Sequence, residues 1–186
     1  GEICEMVKRG VTPKYTESEG IIVVNQKCIR NHQVNLAEGR IHDITSKNVP
    51  DEKLVKYGDV LVNSTGVGTL GRVAQFLDKS IDKLTVDSHV TIVRPKPNVF
   101  GVEFFGYMMI AIENLIMESG KGSSGQTELS RHELSQMKVY YPTDTLSQKA
   151  IIQSMKEETL IIDGNKKLIE IFTQKIQDRI SKVWGE

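Results

Sequence analysis

Long hydrophobic runs are missing from this sequence. No stretch approaches the roughly 20 apolar residues of a membrane-spanning helix, so no membrane role is expected. An excess of charge is missing too: 24 Lys and Arg stand against 24 Asp and Glu. That balance excludes a polycation that coats nucleic acid or membranes without selectivity. It leaves sequence-specific DNA binding open, because a local patch governs that. Cysteine is scarce. Cys4 and Cys28 lie in unrelated contexts, with no C-x-x-C and no paired Cys/His spacing, which excludes the usual zinc sites. They read as two free thiols in a reducing, cytoplasmic setting. The opening Gly1-Glu2-Ile3-Cys4 has neither an initiating Met nor a signal-peptide pattern, and reads as a piece cut from a longer protein.

Catalytic signatures are also lacking. There is no G-x-x-x-x-G-K-[ST] phosphate loop, no H-E-x-x-H and no G-x-S-x-G elbow. Gly66-Val67-Gly68-Thr69-Leu70-Gly71 does fit G-x-G-x-x-G. The next residues, 72–76, read as a strand, and without a helix N-terminus there is no dipole to hold a pyrophosphate. The segment reads instead as a glycine-rich turn between two strands. Pro50-Asp51-Glu52-Lys53 looks superficially like part of a nuclease signature, but no second acidic element with a lysine comes after it, so it reads as a surface turn. His32, His42, His89 and His132 are scattered and read as surface or satisfied core imidazoles. No catalytic residue, cofactor or metal site is expected.

The residues that are present divide at Pro142. The 186 residues fit one domain plus an appendage. Before Pro142, short apolar segments alternate with Gly, Asn, Ser and Thr clusters. Strands are expected at 20–24, 60–62 (after the Gly58-Asp59 turn), 71–76, 89–94 and 137–141. A helix is expected from Val102 to about Ser119, with Phe104, Phe105, Met108, Met109, Ile112, Leu115 and Ile116 on a broad face and Gly120 at its end. Ser130 with Glu133 forms a capping box that opens a short helix. The expected class is α+β: a mixed α/β domain over 1–142 followed by a long helix over 143–186.

Thr145 and Gln148 fit a T-x-x-Q capping box at the start of that helix. Beyond it, Met155, Ile162, Ile169, Ile176 and Val183 recur at a spacing of seven, and Ile161, Leu168, Phe172 and Ile180 widen the stripe. Such a repeat keeps one seam against a partner helix in a left-handed supercoil. Asp163-Gly164-Asn165 interrupts it, either as a tolerated defect or short break, or as a polar element that sets register. A helix of nearly 40 residues is about 60 Å long. One small domain cannot cover a stripe of that length, so another helix must. The charges of this segment balance, as on a solvated outer face.

Two segments, 63–72 and 119–127, are rich in Gly, small hydroxyls and amides. Glycine lets backbone N–H groups approach a phosphate. Ser, Thr, Asn and Gln bond phosphate oxygens, and Asn or Gln can read an adenine edge. The basic residues grouped with such loops are Lys8, Arg9, Lys14, Arg72, Lys121 and Arg131. The same composition suits surface loops with no ligand.

The order of motifs carries a resemblance. Gly10-Val11-Thr12-Pro13, Gly58-Asp59-Val60-Leu61 and the junction of Pro142 with Gln148 are each weak but jointly more specific. From Gly1 to the C-terminus the sequence resembles the DNA-specificity (S) subunit of type I restriction-modification systems. It matches one target recognition domain followed by one conserved spacer helix. The resemblance implies a bacterial, non-catalytic module that reads one half of a split target in double-stranded DNA. It implies a helix that packs in an antiparallel coiled coil against the helix of a second specificity half. It further implies docking to a DNA adenine methyltransferase subunit or domain and to a restriction subunit.

A complete subunit joins two such units, and this sequence carries one. It is therefore either a fragment or a half-subunit that forms a homodimer. The ending Lys182-Val183-Trp184-Gly185-Glu186 is similar to the tail of specificity regions fused behind an adenine methyltransferase, but no N/D-P-P-Y/F motif is present. By the resemblance, Lys14, Tyr15, Thr65, Arg72, Lys121, Ser124, Gln126, Thr127 and Arg131 face DNA. Met155, Ile162, Ile169, Phe172, Ile176 and Val183 face the partner helix. Gly10, Gly58, Gly125 and Pro142 serve the fold. The rival reading, from zero net charge and the seven-residue seam, is a protein-protein interaction or oligomerisation module without DNA specificity.

Overall fold

The computed structural model describes residues 1–120 and 128–184. Its strands are β1 (Cys4–Arg9), β2 (Tyr15–Thr16), β3 (Ile21–Val24), β4 (Ile29–Arg30), β5 (Gln33–Val34), β6 (Arg40–His42), β7 (Val60–Asn63), β8 (Val73–Gln75), β9 (Leu84–Val86) and β10 (Val90–Pro95). Its helices are α1 (Val102–Ala111), α2 (Glu113–Ser119), α3 (Arg131–Gln136) and α4 (Thr145–Trp184).

One antiparallel sheet runs β1-β10-β7-β8, and a mixed sheet runs β2-β6-β3-β9. In the first, Ile92 pairs with Leu61 and Val93 with Val60. Successive side chains of a strand point to opposite faces, and here both faces are covered. Leu61, Ala74 and Ile92 pack with Val24, Ile29, Leu84 and Val86 on one side. Val60, Val62, Val73 and Val93 pack with Phe104, Phe105, Met108, Met109 and Ile116 on the other. This double cover explains why β7 reads as an apolar run at Val60–Val62 and why even Thr91 and Arg94 of β10 are buried, in place of an apolar–polar alternation.

The Gly58-Asp59 turn anchors the sheet from inside. Asp59 is 1% exposed and receives Arg94 Nε at 2.8 Å and Nη2 at 2.6 Å on its two oxygens. Its Oδ2 also accepts the backbone N–H of Lys56 at 2.7 Å. A buried ion pair offsets its desolvation only when such additional bonds saturate it.

Three sequence expectations need correction. Residues 137–141 are not a strand. The in-out alternation is real, with Met137, Val139 and Tyr141 packed on the second core cluster, and Tyr141 meeting Phe100 edge-on at 4.7 Å. The side-chain pattern is satisfied without a β partner. The helix expected from Val102 to Ser119 is two helices, because Ile112 leaves helical geometry at φ −99°, ψ 9°. The T-x-x-Q capping box does not form. Asp144 Oδ1 accepts the Ser147 N–H at 2.7 Å instead, and the Gln148 amide bonds elsewhere. The Ser130–Glu133 capping box is present, with both reciprocal bonds made.

The glycine-rich turn leads into strand β8 and not into a helix, as expected. Its Gly71 sits at φ +82°, and a Cβ there would stand 2.6 Å from Met117 Cα, so only glycine lets the turn lie on α2. α4 is one 40-residue helix that runs through Asp163-Gly164-Asn165. It leaves the domain early: from Gln153 to Trp184 every residue is exposed. Among the described residues no helix is long and apolar enough to cross a membrane.

Candidate nucleic-acid interface

The segment that leaves β1 runs along one edge of both sheets. The Gly10 N–H bonds Val90 O at 3.1 Å and the Val11 N–H bonds Val86 O at 2.9 Å. This approach is so close that a Cβ at Gly10 would collide with the Val86 and Asp87 carbonyls. Further on, His42 holds the chain. It is fully buried, its Nδ1 accepts the Lys14 N–H at 2.9 Å and its Nε2–H donates to Lys47 O at 2.8 Å. Lys47 Nζ in turn donates to Thr12 O at 2.9 Å. One imidazole therefore fixes the backbone of two exposed lysines, Lys14 and Lys47.

Tyr15 pairs with His42 across β2 and β6. The Arg40 guanidinium lies over its ring, 3.5 Å from the centroid, a stack that pre-orders both side chains. Partial burial and the nearby Asp87 carboxylate push the Tyr15 hydroxyl up from its ordinary value. It therefore stays a protonated donor at neutral pH.

Loop 64–72 is tied down on three sides. Thr65 Oγ1 accepts Gln26 Nε2–H at 2.5 Å and meets His89 Nδ1 at 2.8 Å. Thr69 Oγ1 bonds Gln26 Oε1 at 3.4 Å and Thr65 O at 3.3 Å. Asn63 Nδ2 donates to Gln26 O at 3.1 Å. Arg72 turns its Nη2 back onto Gly68 O at 2.9 Å, bracing its own loop.

Residues 128–131 close the other side. The Leu129 N–H bonds Ser64 O at 2.9 Å, and Glu128 bridges to Thr65. Arg9 binds Leu129 O at 2.9 Å and Glu128 Oε1 at 2.6 Å. Lys53 Nζ donates to Gly10 O at 2.8 Å. Arg131 opens α3 and is exposed. Together these residues bound a cleft of about 400 Å³ lined by Lys8, Arg9, Lys53, Glu128, Ser130 and Arg131. Four cations face one carboxylate there, and a second carboxylate, Glu52, pairs with Lys8 at 2.7 Å on the rim. A chain with no net charge thus concentrates positive charge in one place.

Of the residues singled out in the sequence, Lys14 and Tyr15 lie at one end of this edge, Thr65 in its middle and Arg131 at the cleft. Arg72 lies in the loop with its guanidinium turned inward. Lys121, Ser124, Gln126 and Thr127 lie outside the described residues. Sequence reasoning missed Gln26, Arg40, Lys53 and His89. Arg40 could be found only through the pairing of β2 with β6, and His89 only through its contact with Thr65. Among the described residues no group of three or more His, Cys, Asp or Glu could hold a metal ion. Glu52, from the nuclease-like Pro50-Asp51-Glu52-Lys53, is engaged with Lys8. Met155, Ile162, Ile169, Phe172, Ile176 and Val183 are all exposed on α4.

The family model for the type I restriction modification DNA specificity domain matches residues 1–171. No match is found among curated protein sequences. A structure described for complex assembly and conformational transition of the type I R-M system superposes with TM-score 0.65 at 16% identity, over 89% of this chain and 38% of that one. The type I restriction-modification S subunit from M. genitalium gives 0.58 at 15%, over 89% and 39%. The HsdS subunit from Thermoanaerobacter tengcongensis gives 0.62 at 15%, over 88% and 37%. At these identities the likeness is one of fold, and the chain spans less than two-fifths of the length of each of these proteins.

Proposed function

The chain belongs to the type I restriction modification DNA specificity domain family, and from that premise we propose that it reads one half of a split duplex target through the edge formed by residues 8–15, 64–72 and 128–131. The observation that carries this reading is the basic cleft beside a pinned loop of hydroxyls and amides, on a chain with no net charge. Lys8, Arg9, Lys53 and Arg131 are the phosphate contacts, which position the module without reading sequence. Tyr15, Arg40 and the polar loop are the groups that reach base edges. Lys121, Ser124, Gln126 and Thr127, which lie outside the described residues, are proposed as DNA contacts by the resemblance alone.

Modification and cleavage belong to other components, a DNA adenine methyltransferase and a restriction subunit, with which this module works in the cytoplasm. The apolar stripe of α4 receives a second specificity half. Charge along α4 favours an antiparallel pair. The half nearer the domain, 145–164, carries Glu157, Glu158 and Asp163 against Lys149 and Lys156, whereas the outer half, 165–184, carries Lys166, Lys167, Lys175, Arg179 and Lys182 against Glu170 and Asp178. Antiparallel packing sets these groups against each other, and parallel packing would set like against like.

Salt titration of duplex binding tests the proposal. Affinity should fall steeply with salt. Lys53→Gln and Arg131→Gln should each weaken binding alike on all sequences and reduce the log–log slope by about 1. Binding insensitive to both salt and sequence would overturn the reading.

A further inference from the structure

His89 is an exposed histidine whose backbone and ring are both hydrogen-bonded. Its backbone N–H donates to Asp87 Oδ1 at 2.9 Å, and its carbonyl accepts the Ser64 N–H at 2.8 Å. Its ring Nδ1 lies 2.8 Å from Thr65 Oγ1. A surface imidazole normally turns freely, and fixing it costs side-chain entropy. Here that cost is met within the free protein.

The surrounding network also orients the ring and its Nδ1. Gln26 Oε1 accepts from the Thr69 hydroxyl, so the Gln26 amide presents Nε2–H to Thr65 Oγ1. Thr65 receives that hydrogen bond, and among the described residues the acceptor beside its own proton is His89 Nδ1, so Thr65 is assigned as the donor there. With Nδ1 accepting, the neutral imidazole carries its proton on Nε2. Gly66, at φ +99°, permits this closure, since a Cβ there would crowd the Gln26 carboxamide and the Thr69 hydroxyl.

We propose that His89 is a specificity-determining residue that donates its Nε2–H to a hydrogen-bond acceptor on a DNA base edge, and that Thr65 is the positioning residue that aims it. The inference rests on the DNA-reading function and deepens it. Acceptors of this chemistry on a duplex are purine N7, guanine O6, thymine O4 and the phosphate oxygens. The neighbouring cleft already supplies four cations for phosphate contacts. A single oriented donor suits a base edge. Thr65, one of the residues the sequence singled out for DNA contact, has its hydroxyl engaged on both sides within the protein, so it acts through His89.

Selection from a randomised duplex library tests this, using the chain with its cognate methyltransferase. Wild type, His89→Ala, Thr65→Val and Thr65→Ser are compared, with thermal melts to verify folding. His89→Ala should lose preference at one base-pair position by about tenfold, with the rest of the motif and the salt slope unchanged. Thr65→Val should blur the same position, and Thr65→Ser should restore it. Where the lost position is a purine, its 7-deaza analogue should reduce wild type to the level of His89→Ala if N7 is the acceptor. Uniform weakening on all sequences would place His89 on a phosphate and overturn the base-edge assignment. An unchanged motif and affinity in His89→Ala would overturn the inference alone. A wild type that enriches no motif would overturn the DNA-reading function and this inference with it.

Discussion

The Oε1 of Gln148, in the first turn of α4, accepts the backbone N–H of Gly101 at 2.9 Å, one residue before α1 begins. The same amide donates to Pro142 O at 2.9 Å and to Val99 O at 3.3 Å. The side chain is 2% exposed, the one buried residue of a 40-residue helix. Lys156 adds an ion pair to Glu103 of α1 at 2.7 Å. Gln148, with the Lys156 ion pair and the packing of Ile152 on the second core cluster, ties the long helix to the domain and sets the direction in which α4 leaves.

Gln148→Leu fills the same space but leaves a part-buried N–H and two part-buried carbonyls short of a partner. It should destabilise the domain by about 1–3 kcal/mol. Urea denaturation measures the loss. A variant as stable as wild type would show that the joint is held by apolar packing of α4 on α1.

The α4 stripe predicts self-association that depends on its seam and not on the domain. Ile169 is 66% exposed and Ile176 59% exposed, so Ile169→Asp with Ile176→Asp should leave the thermal melt of the domain within a few degrees of wild type. The same pair should convert a dimer to a monomer in sedimentation equilibrium. A wild-type chain that is monomeric at all concentrations would leave the stripe to a second half within a longer protein.

Asp87 supplies a pH signature. Burial pushes its carboxyl above the ordinary value, only partly offset by its bond from the His89 N–H. With the folded value above the unfolded one, the stabilisation is full below the unfolded carboxylate range. It is lost as pH rises through the folded value. Asp87→Asn keeps an oxygen for the His89 N–H and removes the buried charge. It should therefore be more stable than wild type at about pH 7 and indistinguishable from it at about pH 3, on either side of the carboxylate range. Urea midpoints at the two pH values check this. Equal stability at both would mean that the carboxylate is compensated by a partner of its own.

Local features were legible in the sequence for local reasons. The β-branched runs of β3, β7 and β10, the Ser130–Glu133 capping box and the seven-residue stripe of α4 are encoded by neighbours along the chain. The glycine turn at 66–71 could be told from a dinucleotide loop because the chain continues from it as a strand. Features built from distant residues were not legible. Thr65 reads as a DNA-facing hydroxyl, and its engagement by His89, 24 residues away, and by Gln26, 39 residues away, is invisible in the sequence. Arg40 gains meaning only by stacking on Tyr15. Gln148 looks like a cap until its three partners at Val99, Gly101 and Pro142 appear. Residues 137–141 alternate like a strand because they pack like one, and periodicity cannot report that no β partner is present.

The central claim is that this chain reads DNA as one of two paired halves. The direct measurement is selection of binding sites from a randomised duplex library, and then sequencing, with the chain and its cognate methyltransferase. The account predicts a short enriched motif that recurs as two halves at one fixed spacing, with that spacing lost in the Ile169→Asp and Ile176→Asp variant. No enriched sequence from a chain that still pairs through α4 would contradict it, and would make the protein an assembly module.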